Sequence, residues 1–235
     1  MYKFIVTITL ALAFFSCRKE GREAPVQIER TYSLAGFTRI QAGDYFQLHI
    51  KQGPAFNIKG RGNTADLDDL LITTDQEGNL TIRYNTFKRD RYQVNIYITL
   101  PVLTRVNLGG ECRTTIKGFR QQTEALRTVV SGNAKCTVEE LPDLVKVEGS
   151  GAGEVTLSGT TPDLIANLSG EARLNAYSAT ITDADVYTSG KARAYVAIQK
   201  HLSAVASGDS RIFYKGDPAA GIYREESGTA RVIKE

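Results

Sequence analysis

The sequence predicts an all-β fold: a parallel β-solenoid with coils of about 20 residues, preceded by a strand-rich section of the same domain. Three observations carry this. The phrase Ser-Gly-x-Ala-Arg recurs along the C-terminal half, apolar residues alternate with polar ones on both sides of each copy, and the stretch from Tyr32 to Leu103 alternates in the same way without the phrase.

The clearest copies are Ser169-Gly170-Glu171-Ala172-Arg173, Ser189-Gly190-Lys191-Ala192-Arg193 and Ser227-Gly228-Thr229-Ala230-Arg231, with Ser207-Gly208-Asp209-Ser210-Arg211 close behind. Looser copies stand at Gly109-Gly110, Ser131-Gly132 and Ser150-Gly151, so the second glycine falls at 110, 132, 151, 170, 190, 208 and 228. A fixed period of this length marks stacked units that bury their apolar faces only against neighbours. We therefore expect seven coils, each holding two or three short strands. Small residues follow the glycine by two places (Cys112, Ala134, Ala172, Ala192) and aliphatic ones by four (Val155, Leu174, Ile212, Val232), which is the period of a strand with one buried face. The glycine belongs at the corner, where the backbone needs positive φ or close approach to its neighbour.

The chain opens with Tyr2-Lys3 and an apolar run from Phe4 to Phe15, too short to span a bilayer and placed like the core of a signal peptide. Ser16-Cys17 resembles a lipoprotein cleavage site, which implies residues 1–16 as a signal peptide and lipidation of Cys17. An ordinary secretory signal is the alternative. Residues 17–30 then form a lipidated cysteine and flexible tether, and residues 31–235 form one domain. Arg18 after the cysteine fits sorting to the outer membrane, facing either the periplasm or the outside. The net charge of +3 falls to about +2 when Lys3 leaves with the leader, a balance with no nucleic-acid signature.

Within the strand-rich section, Phe46, Leu48 and Ile50 share one face and His49 lies opposite. Residues 67–71 are the one segment expected to make a helical turn. Leu80–Tyr84 and Val94–Leu100 read as a hairpin around the basic tip Lys88-Arg89-Asp90-Arg91, and Pro101 ends the second strand.

The order of these pieces carries a resemblance. Phe37-x-x-Ile40, the Phe46-x-Leu48-x-Ile50 strand followed by Gln52-Gly53, Gly78-Asn79-Leu80-Thr81-Ile82 and Ile96-Tyr97-Ile98-Thr99-Leu100-Pro101 precede the Ser-Gly coils. The chain from about Thr31 to Glu235 resembles the bacterial family known as putative auto-transporter adhesin, head GIN domain. That resemblance implies an exported β-solenoid lipoprotein acting in adhesion, and it supplies no catalytic residues.

The candidate site is the outward column three places after each glycine: Arg113, Lys135, Glu154, Arg173, Arg193, Arg211 and Arg231. Stacked about 4.8 Å apart, its cations would suit an anionic glycan or envelope polymer through charge-assisted contacts. The competing reading is that Glu111, Glu171 and Asp209, two places nearer the N-terminus, neutralise it. Tyr187, Tyr195, Phe213, Tyr214 and Tyr223 serve either sugar stacking or cross-strand packing.

Cys112 and Cys136 fall on the inward face of adjacent coils but diagonally offset, at the outer limit for a disulfide. Two small buried thiols are the preferred reading. No zinc spacing, nucleophile elbow or Walker motif occurs, His49 and His201 are isolated, and the corner serines have no histidine base. Asp183 and Asp185 alternate correctly for one face, but no third acid is expected to join them in the neighbouring coil, since the equivalents of Asp185 are Ile165 and Ser203, and a lyase-like cation cluster is not expected. No cofactor, metal or nucleic-acid partner is expected. The expected function is a non-catalytic adhesion or binding module, held to the membrane by its lipid. An assembly component binding another protein through the solenoid face or end is the alternative, because Arg224, Glu225 and Glu226 put charges where earlier coils carry small or apolar residues. A polysaccharide lyase-like enzyme is the remote one.

Overall fold

A computed structural model describes residues 26–88 and 90–235. The expected signal peptide, Cys17, most of the tether and Arg89 lie outside the described residues. In chain order the first strands are β1 (Gln27–Tyr32), β2 (Arg39–Ala42), β3 (Phe46–Gln52), β4 (Asn57–Asn63), β5 (Leu70–Thr74), β6 (Asn79–Tyr84), β7 (Val94–Leu100), β8 (Arg105–Leu108) and β9 (Arg113–Lys117), with helix α1 (Thr64–Asp68) between β4 and β5. They continue as β10 (Leu126–Val130), β11 (Lys135–Glu139), β12 (Leu144–Gly149), β13 (Glu154–Leu168), β14 (Arg173–Thr188), β15 (Arg193–Ala206), β16 (Arg211–Lys215), β17 (Ile222–Glu226) and β18 (Arg231–Lys234). Strand β1 begins inside the stretch read as tether.

The strands form two parallel rows that face each other across one core. One row runs β6, β2, β8, β10, β12, then the second halves of β13, β14 and β15, then β17. The other runs β7, β3, β9, β11, then the first halves of β13, β14 and β15, then β16 and β18. The corner glycines join the rows, and the seven of them span about six turns of solenoid, coils about 20 residues apart. In β13 and β14 the ladder carries on through a third side, pairing Ser158 with Ser178 and Thr161 with Ile181.

The alternation seen in the sequence is the inward face. Cys112, Ala134, Ala172, Ala192 and Ala230 are fully buried beside the corners, and Val155, Leu174 and Ile212 fill the next layer. Each fully buried aliphatic side chain contributes roughly 1.5–3 kcal/mol relative to exposure. At the corners the glycine backbones stack directly. A Cβ on Gly170 would stand 3.1 Å from the backbone nitrogen and oxygen of Gly151, and Gly190 meets Gly170 in the same way. From Gly132 onward the amide after each corner glycine donates to the glycine carbonyl one coil up, as Glu171 N does to Gly151 O at 2.7 Å and Lys191 N to Gly170 O at 2.7 Å.

The N-terminal section departs from chain order. β2 and β3 sit between the β6/β7 coil and the β8/β9 coil, so the first coil of the chain is not the first of the stack. β6 and β7 are not hairpin partners: β6 pairs antiparallel with β5, while β7 pairs antiparallel with β4, which in turn carries β1. This reversal closes that end of the stack. The helical turn falls at Thr64–Asp68 rather than 67–71, and Leu70 and Leu71 are strand. Its start is set by Asn63, whose side-chain oxygen accepts from the Asp66 amide at 2.8 Å. At the other end, Arg224 lies in register with Ala204 and Glu226 with Ala206. The Val232 amide donates to Glu226 Oε1 at 2.7 Å, so a carboxylate folds over the exposed rim. Charged groups at inward positions of a terminal strand oppose edge-to-edge pairing.

Candidate binding face

The predicted column is continuous. Register runs from Gln47 through Arg113, Lys135, Glu154, Arg173, Arg193 and Arg211 to Arg231, each directly beside the next. β-strand alternation turns all of these side chains outward while their flanking residues enter the core. Neutralisation is uneven. Lys135 pairs with Glu154 at 2.7 Å, and Arg211 lies 3.8 Å from Asp209. Glu171, however, pairs with Lys191 at 3.8 Å and not with an arginine. Arg173 and Arg193 make no ion pair among the described residues, and Arg231 donates to the carbonyl of Ala230 at 2.6 Å. The two readings of the column therefore each hold for part of it.

Beside the arginines runs a second column, Asn175, Tyr195, Phe213 and Ile233. Tyr195 and Phe213 stack with centroids 4.9 Å apart and planes 6° apart, and Tyr177 meets Tyr195 edge-on at 5.5 Å. Rings stacked along the solenoid axis spend their faces on each other, which leaves edges for a ligand. Lys215 lies 4.3 Å from the centroid of Tyr177, whose hydroxyl donates to Glu235 at 2.8 Å. Burial, and then that hydrogen bond, raise the Tyr177 pKa. Tyr187 and Tyr223 belong to the other row, and Tyr214 is buried. Further up the arginine face, His49 stacks on Tyr97 at 4.7 Å in a cleft of about 450 Å³ flanked by Lys51, Lys59 and Lys117. The cleft arises where β4 runs antiparallel against β7.

On the opposite row the register of Asp185 is as expected, with Ile165 and Ser203. Asp183, though, has an acid beside it: Asp163 in the neighbouring coil, with His201 on its other side. The expectation of no third acid is corrected. Asp163 stands seven residues before Gly170 as Asp183 stands seven before Gly190, so the repeat itself carried the signal. Among the described residues no group of three or more His, Cys, Asp or Glu side chains is placed to hold a metal ion.

One cluster was invisible to the sequence reading. Arg91, expected at the basic tip of a hairpin, has a side chain only 6% exposed and lies between Asp66 and Asp69. Its Nη1 donates to Asp66 at 3.0 Å, and its guanidinium covers the Tyr84 ring at 3.6 Å. Burial raises the Asp69 pKa, but hydrogen bonds from Thr86 and Arg91 outweigh it and leave the carboxyl below its usual range. Asn63 Nδ2 and the Tyr92 amide also donate to Asp66. This cluster fastens Thr86, Arg91 and Tyr92 to α1 and the residue after it. It is a structural latch rather than a catalytic set.

Cys112 and Cys136 are both buried and free. Register places Cys136 beside Thr114, two residues along the chain from Cys112. Burial pushes the Cys112 thiol up to about 11, against a small opposing effect of Thr114 at 3.7 Å. It raises Cys136 further.

A stacked solenoid with a basic outward column defines a repeat protein with extended outward faces. The chain belongs to the family described as "Putative auto-transporter adhesin, head GIN domain", whose profile matches residues 36–218. No curated protein matches the sequence. Among solved structures it is similar to one described as a putative adhesin from Bacteroides fragilis, with TM-score 0.79 at 18% identity over 89% of this chain and 97% of that one. A putative adhesin from Parabacteroides merdae gives TM-score 0.65 at 16% identity, covering 92% and 98%. A structure described as a putative lipid binding protein from Parabacteroides distasonis gives 0.64 at 16%, covering 89% and 96%. At such identities the likeness concerns the fold. No helix among the described residues is long and apolar enough to cross a membrane.

Proposed function

We propose that the protein is a non-catalytic binding module of the cell envelope whose ligand is an anionic polymer, such as an acidic glycan or the phosphorylated part of a lipopolysaccharide, laid along the arginine column. The observation that carries this is the unbroken register of Arg173, Arg193, Arg211 and Arg231, of which Arg173 and Arg193 lack an ion pair among the described residues. Four like charges about 4.8 Å apart repel one another. An anion lying across them removes that repulsion and gains charge-assisted hydrogen bonds.

The test is an array of acidic and neutral glycans, lipopolysaccharides and anionic lipid vesicles, probed with the protein and with a variant carrying serine at Arg173, Arg193, Arg211 and Arg231. Binding that is sensitive to salt and lost in the folded variant supports the reading. Binding that the variant retains would sink it, as would turnover of any glycan. The same reading has the protein exported and anchored through Cys17, supported by the apolar run ahead of Ser16-Cys17. Labelling cells with a palmitate analogue should mark the wild type and not Cys17→Ala.

A further inference from the structure

The row opposite the arginine column changes sign along its length. Its outward positions in register are Arg39, Arg105, Arg127, Lys146, Ile165, Asp185, Ser203 and Tyr223. One half is basic, the other carries one acid, Asp185, with Ser203 and Tyr223, and Ile165 stands between them. Alongside, Val129 and Val205 turn outward, and Tyr187 and Tyr223 are 42% and 54% exposed. Of the charges in this column only Arg127 has an ion pair among the described residues, with Glu148.

We infer that this face is the contact between two copies of the chain, packed face to face with their solenoid axes antiparallel. A two-fold axis lying in the face along the strand direction, through the Ile165 coil, reverses the stacking order and keeps each column opposite itself. Counting coils from Ile165 then sets Lys146 against Asp185 of the second copy, Val129 against Val205, and Arg105 against the ring of Tyr223. These pairs are complementary, and symmetry makes each occur twice, as an isologous interface requires. The one like-charge contact on the central coil is Asp163 with its own mate, two residues from Ile165 at the edge of the face. Copies in parallel alignment would instead set Lys146 against Lys146 and Asp185 against Asp185. Ile165 meets its own symmetry mate at the centre, where an apolar group loses least on desolvation. Seven coils at about 4.8 Å and strands rising about 3.3 Å per residue offer roughly 700 Å² per copy, near the ~800 Å² per partner of specific interfaces. The arginine column stays free on the opposite row, so a dimer would present two such columns outward.

The experiment is sedimentation equilibrium of the full chain in density-matched neutral detergent, with charge reversals. The wild type should form a dimer that weakens with salt. Lys146→Asp and Asp185→Lys should each raise the dissociation constant about tenfold or more, through loss of two pairs and new like-charge contacts. The double variant should restore it. Ile165→Cys should cross-link to its own copy under mild oxidation, whereas Ser203→Cys, which faces Arg127, should not. A wild type that stays monomeric at every concentration overturns the inference. So does a double variant weaker than either single one, or an Ile165→Cys chain that never cross-links. None of these variants touches the arginine column, so glycan binding succeeds or fails separately.

Discussion

A Cβ placed on Gly110 would stand 2.8 Å from the backbone nitrogen of Asp44, which occupies the same corner one coil nearer the N-terminal end. Asp44 itself has φ of 57° without being glycine. What lies above each corner explains the difference. Over Asp44 lies a cavity of about 640 Å³ lined by Tyr84, Phe87 and Lys88. Over Gly110 sits the Asp44 backbone, and over every corner from Gly132 onward sits another glycine backbone.

Substitutions at glycines should therefore sort by what a Cβ meets rather than by φ. Gly36 has φ of 78° and nothing within 4 Å, so Gly36→Ala should cost about 1–2 kcal/mol for the left-handed backbone alone. Gly170→Ala, with φ of 67° and backbone at 3.1 Å, should add about 1–3 kcal/mol of overpacking. Urea unfolding of both variants checks this, and equal losses would refute it.

Removing the latch at Arg91 strands the buried Asp66 carboxylate and takes a partner from the partly exposed Asp69. Arg91→Met should destabilise by about 3–5 kcal/mol, seen in denaturant midpoints and in faster proteolysis at the 85–93 connection. Tyr84→Phe keeps the ring under the guanidinium and discards a buried hydroxyl that has no hydrogen-bond partner. It should be neutral or slightly stabilising.

Acid should weaken the fold through Asp69 and Asp75. Asp75 is held below the usual carboxylate range by hydrogen bonds from the Asn79 side chain and amide. A depressed native pKa means that the unfolded chain takes up the proton first. The stabilisation is thus complete above the unfolded value of about 3.9 and drains away as pH falls through the native value. Melting temperatures from pH 7 down to pH 2 should decline through that window. Asp75→Asn should lower the plateau and flatten the decline.

The thiols should be inert in the native state. With Cys112 at about 11 and Cys136 higher still, neither forms thiolate near neutral pH. Peptide mapping after treatment with a thiol reagent should find both unmodified when folded and both modified in urea. Cys112→Ala should cost less than about 1.5 kcal/mol, since alanine fills that layer in the coils at Ala134, Ala172 and Ala192.

Where the chain repeats itself, its architecture was legible from residues alone. The glycine spacing located the corners, and alternation from those glycines assigned Ala172 and Leu174 inward and Arg173 outward, because a strand has only two faces. The same bookkeeping, extended seven residues back, would have found Asp163 beside Asp183. Beyond the repeat, local pattern could not say which strands are neighbours. β2 and β6 alternate alike, and nothing in either marks that they lie side by side with β3 and β7 paired across the corner. Arg91 was misread because a burial decided by Asp66 and Asp69, more than twenty residues upstream, leaves no trace in its own neighbourhood. The helix start was readable, in Asn63 followed three residues later by Asp66, but the apolar pair Leu70-Leu71 drew the assignment downstream.

The interposed β2/β3 coil divides the molecule into a starter and an extension. Nothing can seat β2 and β3 on both sides until the chain has been made as far as β9, so residues up to about Lys117 form one indivisible block. From β10 onward each coil needs only the one before it. Coils could be gained or lost downstream without redesigning the block that begins the stack, and the length of the outward faces then becomes a quantity that whole-coil insertions can tune.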